Sequence, residues 1–157
     1  LGLPYPSGPI MDKYAAMGTP KFTFGKPTVD GLNFSFSGLK TSVLYFLREQ
    51  QDKDPNFIKN NLYDLCASIQ LAIVSILMEK VTKAILETGL KQLVLGGGVS
   101  ANSGLREALK KSDTEVFLPP LPYTTDNAAM IAVTGYLKLK EGKIDTLQSE
   151  PKARMSI

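Results

Sequence analysis

The chain has no histidine in 157 residues and a single cysteine, Cys66. Without histidine, Ser-His-Asp and Cys-His nucleophile arrangements are excluded within it. Histidine-built zinc sites and the commonest general base are excluded too. Catalysis would have to rest on carboxylates, backbone amides or groups supplied by another segment. One cysteine cannot form an intrachain disulfide. Cys66 lies in the apolar run from Leu65 to Met78, where a buried, reduced thiol is expected, which fits a reducing, cytoplasmic compartment. Long apolar runs are lacking as well. The stretch around Ile69 to Met78 is short for a bilayer span and carries Gln70 and Ser75, so no membrane association is expected. No signal peptide is visible.

An excess of one charge is also missing. The net charge is +3, and Lys13, Lys26, Lys40, Lys59, Lys80, Lys110 and Lys138 are scattered rather than grouped. This reads as a solvated surface, compatible with a phosphate-bearing partner without pointing to one. What is present, 43% hydrophobic and 21% charged residues, is the composition of one globular domain with a core. The chain opens on Leu1 rather than Met, so it is expected to be a piece of a longer protein.

Local patterns then suggest elements. Pro6, Ser7, Gly8 and Pro9 form a turn that leads into a short helix, with Pro9 suited to its first position and Gly18 to its stop. Phe22 and Phe24, then Phe34 and Phe36, alternate with polar residues on either side of a Gly/Pro/Asp loop, a pattern that predicts a β-hairpin. Ser37 predicts an N-cap for a helix through Leu47, followed by a polar break over Gln50 to Pro55. Leu62, Leu65, Ile69, Ile73, Ile76 and Leu77 recur at helical spacing and predict a long helix ending at Gly89 in a left-handed conformation. A βα unit follows: a buried strand Lys91 to Leu95, a glycine turn, and a helix Ser100 to Lys111. A second strand, Glu115 to Leu118, and a helix from about Asp126 to Lys140, apolar on one face, complete the pattern. The tail beyond Gly142 is polar and expected to be loosely ordered. The order implies an α/β fold, helix-rich with a small incomplete sheet. Two parallel strands make a poor sheet, so strands from elsewhere are expected to complete it.

Four segments could carry chemistry. In Leu93 to Leu109 a strand delivers Gly96, Gly97 and Gly98 to a helix start, where unpaired amides and the dipole attract anions. Ser100, Asn102 and Ser103 add groups that could contact ribose or base. The plain alternative is a tight turn with Ser100 as helix cap, and the two readings weigh about equally. In Pro122 to Met130, Asp126 lies at the C-terminal edge of the sheet, where open α/β folds bind ligands. A carboxylate there could bind a metal, although an N-cap is the simpler role. Tyr5 to Lys13 and Asn33 to Thr41, taken singly, read as structural.

Taken together and in order, LPYPSGP, FSFSGLKT, LVLGGGVSAN and TTDNAAMIA resemble the C-terminal half of the TsaD family, from Leu1 to roughly Arg154. These are tRNA N6-threonylcarbamoyladenosine transferases, formerly described as glycoproteases. The resemblance implies an actin/Hsp70-like (ASKHA) ATPase fold with a nucleotide cleft between two lobes. Residues 1–157 would be a C-terminal lobe fragment, with a hairpin-plus-helix insertion over about 20–60 and a βαβα nucleotide-binding core over 90–141. It implies transfer of threonylcarbamoyl from threonylcarbamoyl-AMP to N6 of adenosine 37 in tRNAs reading ANN codons. Gly8, Asp12 and Asn102 match nucleotide-contacting positions, with ATP, ADP or the adenylate as ligand, and Gly97 and Gly98 match the adjoining cradle. Asp126 matches a carboxylate ligand of a divalent ion, iron or zinc. The implied partners are tRNA, an inactive paralogue subunit and an ATPase subunit; self-association of the fragment is also expected.

The chain departs from the family in lacking the HxxxH motif and the N-terminal phosphate loop, so the fragment alone is expected to be inactive. It reads YPSGP for YPGGP, and Thr124-Thr125-Asp126-Asn127-Ala128 for Cys-Thr-Asp-Asn-Gly. A non-catalytic scaffold module of the same fold is the alternative, disfavoured because GGVSAN and TDN are intact. A protease has no support, there being no HExxH and no nucleophile–base pair.

Overall fold

A computed structural model describes residues 1–146, 148 and 150. The expected loose tail falls largely on residues 147, 149 and 151–157, outside that set. Helices α1 (Ser7–Ala15), α2 (Ser37–Lys53), α3 (Phe57–Asn60) and α4 (Leu62–Thr88) precede strand β1 (Gln92–Val94). Helix α5 (Ser103–Lys110), strand β2 (Glu115–Phe117) and helix α6 (Ala128–Lys140) follow. The strands pair in parallel with Leu93 opposite Val116. The helix-rich α/β expectation therefore holds.

The 27-residue α4 is the organising element. Its apolar spacing buries Leu65, Cys66, Ile69, Val74 and Ile76, and it stops at Gly89, whose φ of 68° and N–H bond to the Ile85 carbonyl make the expected left-handed end. By length and composition α4 could cross a bilayer, so shortness of the apolar run does not argue against a span. Its packing against α1 on one side and α5 on another marks it as the core helix.

Three apolar clusters line up along α4. Ala15 of α1 meets Cys66 and Ala67, with Leu1, Leu3 and Met11 at the rim. Phe24, Leu39, Ile69 and Ile76 form the second, joined by Phe22 and Phe46, whose ring centroids are 5.3 Å apart. Val74, Leu105 and Leu109 form the third, under Leu93 and Val116 of the strands. Each fully buried large apolar side chain contributes about 1.5–3 kcal/mol.

Several local expectations fail for identifiable reasons. No hairpin forms over Lys21 to Phe36. Phe22 and Phe24 dock on the helices, and their segment's amides find side-chain acceptors instead of a ladder: Lys21 and Phe22 N–H both donate to Ser68 Oγ at 3.1 Å, and Gly25 N–H to Ser42 Oγ at 2.9 Å. Lys80 Nζ holds the carbonyls of Val29 and Gly31. Helix α2 runs on through the supposed polar break to Lys53, and Ser37 is its first residue rather than its cap. Pro9 sits third in α1, not first. The strands are short and half-covered: Leu93 faces the core, while Val94 is 77% exposed. Helix α6 has no buried residue, and its expected apolar face leaves Ile131 73% exposed.

Gly18 does not stop α1 through a left-handed conformation, since its φ is not positive. It lets the chain cross α4: a Cβ there would overlap the Tyr63 carbonyl and sit 2.7 Å from the Asp64 nitrogen. Gly18→Ala is expected to destabilise the protein by about 1–3 kcal/mol in urea unfolding, whereas Gly8→Ala, where a Cβ meets nothing within 4 Å, should be close to neutral.

Just beyond, Asp64 accepts from Thr19 N–H at 2.8 Å and lies 2.6 Å from Lys21 Nζ. Lys21 first, and then the Thr19 amide, hold its carboxyl below the ordinary value of 3.8. A lowered folded value gives stability that is present above 3.8 and lost as pH falls through that lowered value. Asp64→Asn should flatten the acid limb of a stability–pH curve below about pH 4; an unchanged limb would show that this carboxylate contributes nothing to it.

Candidate functional site

The two parallel strands end side by side, and the loops leaving their C-terminal ends run toward the same space. After β1 the chain passes Gly96 and Gly97, the latter at φ 82°, which only glycine adopts without strain. A 3₁₀ turn over Gly98–Ala101 follows, closed by Ser100 N–H on the Gly97 carbonyl at 3.0 Å. The cap of α5 is Asn102, not Ser100: its Oδ1 accepts from Leu105 N–H at 2.9 Å. Such a cap contributes about 1 kcal/mol. Ser100 is fully buried, and its hydroxyl has no hydrogen-bond partner among the described residues.

Asp12 projects from α1 onto this helix start. Its carboxylate accepts from Ser103 N–H at 3.2 Å, from Ser103 Oγ at 2.8 Å and from Asn102 Nδ2 at 3.2 Å. Asn102 Nδ2 also donates to Gln70 Oε1 of α4 at 2.9 Å. A single network thus ties α1, α4 and α5 together. It also changes the electrostatics expected of the glycine turn. The positive end of α5 is already engaged by a full negative charge, so α5 itself is not an open anion site. Amides free to meet an anion belong to the glycine turn ahead of it.

These groups face a cleft of about 600 Å³ lined by Pro6, Gly8, Asp12, Gln70, Gly98, Asn102 and Thr125, with Ile73, Val74 and Leu77 forming an apolar wall. Gly8 and Asp12 of α1 and Gly98 and Asn102 of the turn before α5 are thereby brought together from two segments far apart in sequence, and Gly97 adjoins Gly98. A mixed wall of this kind, apolar with a few convergent polar groups, suits a small organic ligand. A second cavity of about 640 Å³, lined by Phe34, Phe36, Leu39, Leu93 and Leu109, has no comparable polar set beyond Lys40.

Asp126 is not part of that lining. Its neighbour Thr125 is, and Asp126 stands exposed on the adjoining loop. It does not cap α6, which is done by Asn127, whose Oδ1 accepts from Met130 N–H at 3.1 Å. Among the described residues no three His, Cys, Asp or Glu side chains group together. One carboxylate is not a site for iron or zinc, which take three or four protein ligands. Asp126 offers the expected ion one carboxylate of such a set.

Three residues of the site were not anticipated in these roles. Gln70 showed itself only as a polar interruption on the apolar face of α4. Ser103, whose hydroxyl could contact ribose or base, donates its N–H and Oγ–H to Asp12, a role its sequence position does not announce. Arg106 donates Nε–H to the Ser100 carbonyl at 2.5 Å and Nη2–H to the Pro119 carbonyl at 2.7 Å. Cys66 is structural: burial raises its thiol above the ordinary value and keeps it protonated.

The family model described as "tRNA N6-adenosine threonylcarbamoyltransferase" (TsaD) matches residues 1–133. A protein of that name from Christiangramia forsetii is 57% identical over 143 residues, 88% of this chain and 42% of the relative. One from Riemerella anatipestifer is 46% identical, covering 99% of this chain and 47% of the relative. One from Porphyromonas gingivalis is also 46% identical, over 100% and 48% respectively. The chain spans about half the length of the curated relatives it matches. On this similarity and the family match, the chain belongs to the tRNA N6-adenosine threonylcarbamoyltransferase family.

Proposed function

We propose that this chain forms one wall of the adenylate site of a tRNA N6-adenosine threonylcarbamoyltransferase. The observation that carries this reading is the convergence of Gly8, Asp12, Gly98 and Asn102 on one cleft at the C-terminal ends of two parallel strands. In this reading the whole protein has the ASKHA fold and moves threonylcarbamoyl from its adenylate to N6 of adenosine 37 in tRNAs reading ANN codons.

Charge decides how the ligand would lie. A phosphate close to Asp12 would face a like charge, whereas ribose hydroxyls could donate to that carboxylate. The sugar therefore belongs at Asp12 and Asn102, and the phosphate at the backbone amides of Gly97 and Gly98. Ile73, Val74 and Leu77 offer the base an apolar surface. Asp126 can give one oxygen to a divalent iron or zinc ion only where further ligands come from outside the chain. The partners of this reading are tRNA, a paralogue subunit and an ATPase subunit, in the cytoplasm. The half-covered sheet favours self-association of the chain in isolation.

Asn102→Ala is a poor probe because it removes the α5 cap along with any ligand contact. Asn102→Ser keeps a capping oxygen and removes only the amide donor. Gly98→Ala is cleaner still: its φ is not positive and a Cβ meets nothing within 4 Å, so stability should stay within about 0.5 kcal/mol. In the whole protein it should weaken ADP binding by about tenfold or more, read by calorimetry. Unchanged affinity would remove the glycine turn from the site.

The chain expressed alone is expected to transfer no threonylcarbamoyl to tRNA. Transfer by the isolated chain would overturn the one-wall reading, and ADP binding without transfer by the whole protein would favour a scaffold role.

A further inference from the structure

We infer that Arg106 is the positioning residue that fixes the glycine turn and the Asp126 loop at one spacing. The inference rests on the adenylate-site reading for its functional consequence, but not for its structural content. Arg106 projects from α5, partly buried, and its guanidinium reaches the carbonyls of two different loops. Nε–H donates to Ser100 at 2.5 Å and Nη2–H to Pro119 at 2.7 Å. Ser100 closes the turn that carries Gly97 and Gly98. Pro119 opens the loop that leads through the 3₁₀ turn Leu121–Tyr123 to Thr125 and Asp126. Both loops line the cleft, through Gly98 and Asn102 on one side and Thr125 on the other, yet Arg106 itself does not. It can act on a ligand only through them.

Among the described residues no other hydrogen bond joins the two loops beyond the strands. The strand ladder ends with Leu95 N–H on the Phe117 carbonyl, and beyond it the two loops leave the sheet toward the same cleft. Each is tied internally, the first by Ser100 N–H on Gly97 and the second by Thr124 Oγ1 on the Leu121 carbonyl at 2.8 Å. Ser100 is fully buried, so water cannot readily replace a lost donor at its carbonyl. The fork geometry is also specific. A guanidinium offers N–H groups on separate nitrogens in one rigid plane, whereas an ammonium carries its three donors on one nitrogen at the end of a flexible stem. Lysine at this position would have to draw both carbonyls to one nitrogen, as Lys80 does with Val29 and Gly31, and so could not keep the spacing that the two guanidinium nitrogens set.

The test uses the whole protein with Arg106→Lys and Arg106→Gln. Amide hydrogen exchange without ligand should speed up in both loops, over residues 96–102 and 119–126, with no change in α1 or in α4 from Leu62 to Val81. ADP affinity should fall by about tenfold or more in each variant, while the unfolding midpoint of Arg106→Lys stays near wild type. Faster exchange in the glycine turn alone, or a uniform rise across α4, would overturn the inference and leave an ordinary helix-surface contact. Faster exchange in both loops with ADP affinity unchanged would uphold the clamp and sink the adenylate-site reading instead. The two failures are therefore distinguishable.

Discussion

Burial along α4 is the constraint on which the site depends. The cleft draws its residues from α1, from α4 itself and from the start of α5, and these segments are far apart in sequence. They meet because Ala15, Leu105 and Leu109 are removed from water against Cys66, Ala67 and Val74 of α4. Polar groups exploit that placement without causing it. Gln70 sits one residue beyond the buried Ile69, so the packing of α4 delivers its amide to Asn102. Each such hydrogen bond is worth only about 1 kcal/mol net, less than one buried leucine. The network therefore selects the geometry of the cleft, and the apolar face of α4 supplies the stability.

The electrostatic character of the cleft follows from one carboxylate. Without Asp12, the first turn of α5 would offer unpaired amides and a positive dipole to any anion. With Asp12 bonded to Ser103 and Asn102, that end is satisfied from within the protein. The free donors that remain lie in the glycine turn, where the positive φ of Gly97 and the absence of side chains leave the backbone open. A cleft with a carboxylate at one end and backbone amides at the other discriminates between the hydroxyl-bearing and phosphate-bearing parts of a nucleotide by charge alone.

What could be read from the sequence, and what could not, divides along local and non-local lines. The long helix, its end at Gly89, the glycine turn and the parallel strand pair are set by spacing within about thirty residues. All of these are found. Caps were misplaced by a residue or two because Val99-Ser100-Ala101-Asn102-Ser103 contains several capping residues, and a 3₁₀ turn ahead of α5 moves the cap to Asn102. The same shift replaces Asp126 by Asn127 at α6. The hairpin fails for a non-local reason. Alternating phenylalanines fit either a strand or an extended segment laid on helices, and the hydroxyls of Ser68 and Ser42 decide in favour of the second. Nothing near Phe22 in sequence announces Ser68. Arg106 was equally illegible, since its two acceptors are backbone carbonyls that every residue possesses.

The open surfaces follow from the same asymmetry. Parallel strands are normally covered on both faces, but here only Leu93 and Val116 have a cover, from α4 and α5. Val94 and Phe117, paired across the ladder, face away from it. Helix α6 repeats the pattern with Ile131, Val133 and Leu137 exposed. A surface with core composition and no core neighbour is hydrated in the folded chain as in the unfolded one, so it adds nothing to stability through burial. In this chain, α6 and the outer sheet face therefore contribute little to folding. The loops that approach the cleft from β1 and β2 are held from one side only. That places the burden of their geometry on the few polar ties that cross between them, which is why a single guanidinium at Arg106 carries weight that a surface arginine on a fully covered sheet would not.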